Sequence, residues 1–327
     1  MAALLAPLGA LYGWVAKTRF TAAVPYRSRL PVVCVGNLTA GGSGKTPLAI
    51  YLCERLKAGG HTPVLLTRGY GGRARGPSWV NGAVDSAQDV GDEPLLLARA
   101  APTLVARDRR AGACAIEQAR TASVIVMDDG LQNAGLAKDL CIAVVDGERG
   151  LGNERVIPAG PLRAPLPFQL DLTDVVVVNA TAGGRPDDRV ADAMRHRFPG
   201  PVLRATTAPA EDVRWLEAKR VVAWAGIGAP QRFFGLLRAL GAEIVEQVAF
   251  RDHQRLAPAD AERLLALARR NRAALVTTEK DMARLAGSDG VLAELAGASR
   301  AVPIRITLGE ADAERLSALI ASALGRG

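Results

Sequence analysis

Gly44, Lys45 and Thr46 close the segment Thr39–Thr46, TAGGSGKT, which lies between an apolar β-type run and a helical pattern. Glycines at 41, 42 and 44 let backbone N–H groups turn inward around phosphate oxygens, and the N-terminus of the following helix adds a favourable dipole. In that geometry Thr39, Ala40, Gly41, Gly42, Ser43 and Gly44 form a cradle for ATP. Lys45 reaches the β- and γ-phosphates, and the Thr46 hydroxyl ligates Mg²⁺. Pro47 fits the first helical turn, which has no N–H partner to lose. The usual pattern, G-x-x-x-x-G-K-[ST], opens on glycine where this chain has Thr39, so the loop entry is expected to differ slightly.

A second apolar run, Ser123–Met127, ends in Asp128-Asp129-Gly130. A strand ending in a carboxylate is what a phosphate loop needs beside it, to hold the metal or its water. One of Asp128 and Asp129 takes that role, and the other binds a further metal or orients a substrate hydroxyl. Adjacent acids at a strand end also make plain turns, but their company with Lys45 and Thr46 favours the metal. Phosphoryl transfer from ATP·Mg²⁺ is the chemistry these residues imply.

The elements that must position them are legible from periodicity. Strands are expected at Pro31–Gly36, Pro63–Thr67, Thr103–Ala106, Ser123–Met127, Leu140–Val145 and Asp174–Val178, with helices near Lys45–Ala58, Glu93–Ala100, Arg109–Gln118 and Asp187–Arg197. That alternation predicts an α/β fold with a doubly wound, mostly parallel sheet. Beyond the turn-rich stretch around Ala205–Asp212, strands near Arg220–Ala225, Glu243–Ala249, Ala274–Thr277 and Val302–Thr307 interleave with further helices. The expected division is a P-loop core over 1–207 and a smaller α/β domain over 208–327.

Composition narrows the partners. The 327 residues are 49% apolar, enough to bury a large core, and the net charge of +8 favours anionic ligands. Only 4% are aromatic and none interleave with a basic stripe, which disfavours nucleic acid. Cys34, Cys53, Cys114 and Cys141 lack metal-ligand spacing and suit reduced thiols in a reducing compartment. The first sixteen residues, MAALLAPLGALYGWVA, are apolar and are followed by Lys17, Arg19, Arg27 and Arg29. That stretch is too short to span a bilayer comfortably and lacks the basic lead of a signal peptide. It either packs on the protein or lies in an anionic membrane surface.

Seven motifs, in order, resemble one family: GNLTAGGSGKTP (36–47), TRGYGG (67–72), GDEPLLLA (91–98), DDGLQN (128–133), PAGPLR (158–163), FRDHQ (250–254) and TTEKD (277–281). Together they look like the tetraacyldisaccharide 4'-kinases. The resemblance implies that ATP phosphorylates the 4'-hydroxyl of a tetraacylated glucosamine disaccharide 1-phosphate, a lipid A precursor. It also implies a peripheral enzyme on the cytoplasmic face of the bacterial inner membrane, and no obligate protein partner is evident.

A sugar hydroxyl is a poor nucleophile at neutral pH, so a positioned base is expected. By resemblance, Asp92 and His253 match the family's catalytic pair, the carboxylate accepting the hydroxyl proton and the imidazole orienting it. A second domain would then close to bring His253 to Asp92. Arg68, Arg109 and Arg163 sit in loops after strands or in Gly/Pro-rich turns, where they could meet the substrate phosphate or the ATP. Asn133 and Gln254 stand where the family often has histidine and are assigned no role. Glu279, Lys280 and Asp281 are assigned only a helix cap.

Two other readings compete. A partitioning-type switch ATPase would carry a second lysine early in the loop, where this chain has Ala40. A kinase for a soluble sugar or nucleoside shares the loop but needs no membrane contact.

Overall fold

The computed structural model of the protein describes residues 2–181 and 188–325. Runs rich in valine, isoleucine and leucine that are apolar throughout form strands buried on both faces, and this is why the sheet is parallel and helix-covered. In chain order the strands are β1 (Val32–Asn37), β2 (Pro63–Thr67), the exposed β3 (Ser78–Trp79), β4 (Thr103–Val105), β5 (Val124–Asp128), β6 (Leu140–Asp146), β7 (Val175–Thr181) and the partly buried β8 (Val202–Pro209). A second group follows, β9 (Arg220–Ala225), β10 (Glu243–Ala249), β11 (Ala274–Thr278) and β12 (Ser299–Val302), and then β13 (Ile304–Leu308).

Helices α1 (Ala6–Thr21), α2 (Lys45–Ala58), α3 (Ala87–Val90), α4 (Asp92–Ala100), α5 (Arg109–Ala119), α6 (Leu166–Asp171) and α7 (Asp188–Arg197) accompany the first group. The expected first residue of α7, Asp187, lies outside the described residues. Helices α8 (Pro230–Ala239), α9 (Pro258–Asn271), α10 (Glu279–Leu285) and α11 (Gly290–Ala298) accompany the second, and α12 (Glu310–Leu324) ends the chain.

The strands form two sheets. The larger runs β13-β8-β7-β6-β1-β5-β2-β4-β3 and is parallel except for its outermost pairs, β13 with β8 and β3 with β4. Its two faces carry separate apolar layers. Leu48, Leu52 and Leu56 of α2 pack with Leu316 and Ile320 of α12 on one face. Ala113 and Ile116 of α5 pack with Ala191 and Met194 of α7 on the other. The smaller sheet, β10-β9-β11-β12, is all parallel and is likewise covered on both faces, by Phe233, Phe234 and Leu237 of α8 and by Leu264 and Leu265 of α9. This is the doubly wound α/β architecture expected, built twice.

The strands run across the expected division at 207/208. β8 extends to Pro209, where a turn was expected, because its residues gain a parallel partner in β7 and an antiparallel one in β13. The expected strand Val302–Thr307 is broken at Pro303 into β12 and β13, which belong to different sheets. The chain therefore leaves the first sheet, builds the second, and returns. Ile306 of β13 and Leu316 of α12 complete the first core.

The N-terminal helix docks through its small residues. A Cβ on Gly9 would lie 2.6 Å from the Val156 carbonyl oxygen, and one on Gly13 would lie 3.1 Å from the ring of Pro165. That close approach turns the bulky side chains outward. Leu4, Leu8, Leu11, Tyr12 and Trp14 are all exposed. Among the described residues, no helix is long and apolar enough to cross a membrane.

Candidate active site

The register of the larger sheet brings the two chemistry-bearing strand ends together. β1 and β5 are parallel neighbours with Val35 opposite Asp128, so the loop after β1 and the carboxylates at the end of β5 share one edge. A cavity of about 810 Å³ opens there and extends to the second sheet. Its walls include Gly41–Thr46, Arg68, Tyr70, Glu93, Asp129, Arg163, Arg232, His253 and Lys280.

The loop has the backbone a phosphate cradle requires. Gly44 takes φ 97° immediately before α2, and a Cβ there would collide with Asn179 Nδ2, so only glycine fits. The α2 N-terminus follows directly, and neither an acidic side chain nor a cap side chain occupies its first turn. Thr39 and Ala40 do not line the cavity. They anchor the loop entry, Thr39 bridging to Leu162 and Ala40 N–H donating to the Pro161 carbonyl at 2.7 Å. This entry contact is made by backbone, which a threonine can supply as well as the usual glycine.

Lys45 Nζ lies 3.5 Å from Asp129 Oδ1, which also accepts from Arg163 Nη1 at 2.9 Å. Burial works to raise the Asp129 carboxyl, but Lys45 and Arg163 outweigh it and hold it below the ordinary carboxylate range. Asp128 behaves oppositely. It is 1% exposed, and burial, with Glu93 and Asp129 adding repulsion, pushes it up to about 7 against the pull of Lys45 and Lys280. Its Oδ2 accepts from Thr67 Oγ1 at 3.4 Å, while its Oδ1 and, in the loop, Ser43 Oγ are each buried without a partner. An orphaned carboxylate oxygen at the end of β5 and a buried hydroxyl, Thr46, at the start of α2 suit a divalent cation, whose charge would favour the ionised carboxylate. Among the described residues no three His, Cys, Asp or Glu side chains gather as a group that could hold a metal by themselves.

Across the cavity stand Asp92 and His253. Asp92 begins α4 after Gly91, whose φ of 96° and close approach to the Tyr70 carbonyl leave no room for a side chain. His253 belongs to the loop after β10 and has φ 56°, an unusual backbone for a non-glycine residue and a recurrent one at working sites. Its Nδ1 is 3.1 Å from Asp92 Oδ1, so the expected pair is formed in this structure without further domain movement.

The order within the pair differs from the expectation. His253 lines the cavity, whereas Asp92 is 3% exposed behind it. Both Asp92 oxygens are engaged: Oδ1 accepts from the Glu93 N–H at 2.9 Å, and Oδ2 accepts from Arg284 Nε at 2.8 Å and Nη2 at 2.6 Å. Burial would raise this carboxyl, but the His253 hydrogen bond and the charges of Arg284, His253 and Lys280 hold it far below the usual range. His253 responds in kind. Burial disfavours its protonation, yet the bond to Asp92 and the charges of Asp92, Asp252 and Glu93 raise its pKa above the ordinary value. Tyr70 lies against the imidazole with ring centroids 4.8 Å apart.

The three arginines part company. Arg68 and Arg163 line the cavity as expected. Arg109 is not part of its wall. Its guanidinium is buried beneath β5, where it donates to the Ala106 carbonyl and, at 3.3 Å, to the Asp128 carbonyl. Leading α5 on a sheet buried by both faces, its side chain can reach only the underside of the carboxylate turn. Asn133 and Gln254 serve local turns, accepting from the N–H groups of Gly135 and Arg251.

Sequence reasoning missed Arg232 and Arg284, and gave Lys280 no role beyond a helix cap. Arg232 of α8 reaches the first sheet, bonding Asp146 Oδ2 at 3.1 Å and Thr181 Oγ1 at 3.0 Å. Lys280 bonds Glu93 at 2.5 Å. One available signal was the spacing of Arg284 three residues after Asp281, in a short helix capped by Thr278.

A glycine-rich loop and helix N-terminus on one wall, with a buried acid–imidazole pair on the other, define a P-loop phosphotransferase. Comparison with known proteins narrows the class. A family model described as tetraacyldisaccharide-1-P 4'-kinase matches residues 1–324. The chain is 45% identical over 324 residues to a tetraacyldisaccharide 4'-kinase of Nitrobacter winogradskyi, covering 99% of this chain and 94% of that one. It is 50% identical over 333 residues to one of Methylorubrum extorquens, covering 100% and 95%. A crystal structure of LpxK from Aquifex aeolicus in complex with ATP superposes with a TM-score of 0.75 at 25% identity, over 99% of both chains. This chain belongs to the tetraacyldisaccharide 4'-kinase family.

Proposed function

We propose that this protein transfers the γ-phosphoryl group of ATP to the 4'-hydroxyl of tetraacyldisaccharide 1-phosphate, a step of lipid A synthesis. The observation that carries the reading is the one cavity in which Gly41–Thr46 stand opposite His253, itself hydrogen-bonded to Asp92. Backbone N–H groups of residues 41–46 and the α2 dipole bind the triphosphate, and Lys45 leaves Asp129 to meet its terminal oxygens. Thr46, Asp128 and Asp129 would hold Mg²⁺, which when bound neutralises charge on the transferring group. Thr39 and Ala40 fix the loop entry.

The acceptor hydroxyl lies against His253. Neutral imidazole takes its proton at Nε2, while Asp92 keeps the Nδ1 tautomer and stabilises the imidazolium that forms. Arg68 and Arg163 supply positive charge for phosphate oxygens on the same wall, and Arg109 supports the carboxylate turn from below. The protein excludes water by holding the reacting groups between its two sheets.

The apolar face of α1 gives the enzyme a route to an acylated substrate. Leu8, Leu11, Tyr12 and Trp14 of the helix and Leu4 just before it are exposed, with Lys17 and Arg19 on the following turns. Such a helix rests in the interface of an anionic bilayer with the basic residues at headgroup level, which makes the protein peripheral to the inner membrane on its cytoplasmic face.

The direct test is transfer of radiolabelled γ-phosphate from ATP to tetraacyldisaccharide 1-phosphate in detergent micelles. Product labelled at the 4'-position, and lost with Lys45→Ala, is expected. A folded, ATP-binding protein that labels a water-soluble sugar instead would sink the lipid-kinase reading.

A further inference from the structure

Asp92 is tied to the second sheet by more than His253. Two donors of one guanidinium, Arg284 Nε and Nη2, converge on its Oδ2. The third nitrogen, Nη1, turns the other way, donating to Asp281 Oδ1 at 2.7 Å and to the Gly226 carbonyl at 2.6 Å. That same carbonyl accepts the His253 backbone N–H at 3.2 Å. One guanidinium thus contacts the carboxylate of the pair and the backbone oxygen that seats the imidazole.

The fork is itself held rigidly. Asp281 is buried, accepts from the Gly226 N–H at 3.0 Å, and takes a 2.6 Å bond from the Thr278 hydroxyl. One turn before Arg284 on α10, Lys280 binds Glu93, the residue after Asp92. The helix after β11 therefore grips the first turn of α4 at two adjacent residues. A planar guanidinium fixes the plane of the carboxylate it chelates, which an ammonium cannot do.

We propose that Arg284 is the positioning residue of the Asp92–His253 pair, fixing the plane of the carboxylate behind the imidazole while Asp281 and Lys280 hold the helix that carries it. The proposal rests on the reading of His253 as proton acceptor in phosphoryl transfer. It gives the TTEKD segment a role beyond capping, since Thr278, Lys280 and Asp281 all serve the seat of Arg284.

The charged groups facing the pair are Arg284, Lys280 and Asp281 from α10, Glu93 from α4, and Asp252 beside His253. Arg284 is the cation hydrogen-bonded directly to the carboxylate. Removing it leaves Asp92 less neutralised, so the imidazolium is favoured and the neutral base is lost at higher pH.

The test compares Arg284→Gln and Arg284→Lys with His253→Ala in the full chain, measuring micellar phosphoryl transfer across neutral pH together with ATP affinity. Arg284→Gln is expected to lower kcat by about 10- to 100-fold with the KM for ATP within about twofold of wild type. It should also move the acid limb of kcat upward by about one pH unit. Arg284→Lys should restore the limb but only part of the rate. An unmoved limb in Arg284→Gln, with or without a loss of rate, overturns the proposal and leaves the arginine a structural staple. Should Arg284→Gln not fold, full kcat in Arg284→Lys overturns it and a partial rate at the wild-type limb supports it. Absence of transfer by the wild type, or a wild-type limb retained in His253→Ala, would instead defeat the underlying reading.

Discussion

The two walls of the cavity differ in how complete they are. Around the P-loop Asp128 Oδ1, Ser43 Oγ and Asn37 Oδ1 are buried without partners, and Lys45 Nζ lies 3.5 Å from Asp129. On the opposite wall Asp92, Arg284, Asp281, Lys280 and Glu93 form a closed set of short bonds. Buried polar groups are costly unless paired, so the first wall is shaped for charge that arrives with a ligand. The second is organised in advance. A phosphoryl-transfer enzyme needs both, because its donor brings a triphosphate and a cation while its base must be in place beforehand.

The sharpest way to break this contrast is to disable each wall in turn. Lys45→Ala should lower kcat/KM by about a thousandfold or more, since a charge on the transferring group loses its counter-charge in a sheltered site. Steady-state transfer assays check this, and near-normal activity would mean that the loop does not hold the reacting phosphates. His253→Ala should lower kcat by about 10²–10⁴-fold while ATP binding, measured by calorimetry, stays within about twofold. Comparable losses in ATP binding for both variants would erase the distinction between the walls.

The pH profile sharpens it further. The base form of His253 is the neutral one, and its pKa is raised by the bond to Asp92, so activity should fall as pH drops through a value above the ordinary 6.5. Asp92→Asn should move that limb to lower pH as well as slowing turnover. Were Asp92 itself the acceptor, its depressed pKa would put the limb far into acid, and a flat profile across neutral pH would show it.

A smaller effect concerns the backbone that presents the pair. Gly91→Ala forces a side chain into a left-handed position 2.5 Å from the Tyr70 carbonyl. It should cost about 1–3 kcal/mol, read as a lowered Tm, and reduce activity through the displaced Asp92. Smallest in stability, and separate from both walls, is the triple change Leu8→Ser, Leu11→Ser and Trp14→Ser. These side chains are exposed, so folding should shift by less than about 1 kcal/mol. Sedimentation with anionic vesicles should nonetheless fall more than tenfold, by about 1 kcal/mol or more for each lost anchor.

Legibility in the sequence followed the range of the interactions involved. β2, β9, β10 and α2 occupy the residues expected of them, because continuous apolar runs and helical periodicity are local signals. β8 was hidden in a stretch that reads as turns, since its partners β7 and β13 come from both sides of it in the chain. The Val302–Thr307 run concealed a change of sheet at Pro303 for the same reason. Arg109 looked like a ligand from its place after a strand, and only the packing of α5 against β2 and β4 set its guanidinium under the Asp128 carbonyl.

By itself the sequence marked the phosphate loop and the carboxylates that end β5, because glycine spacing and strand ends are carried by the chain directly, while the pairing of Asp92 with His253 came only from the resemblance of their motifs to a known family. Only the tertiary structure decided that His253 faces the cavity with Asp92 behind it, and that Arg284 joins them. Asp92 and Arg284 are 192 positions apart, and no local pattern can express which oxygen a distant guanidinium will occupy once two sheets have packed against each other.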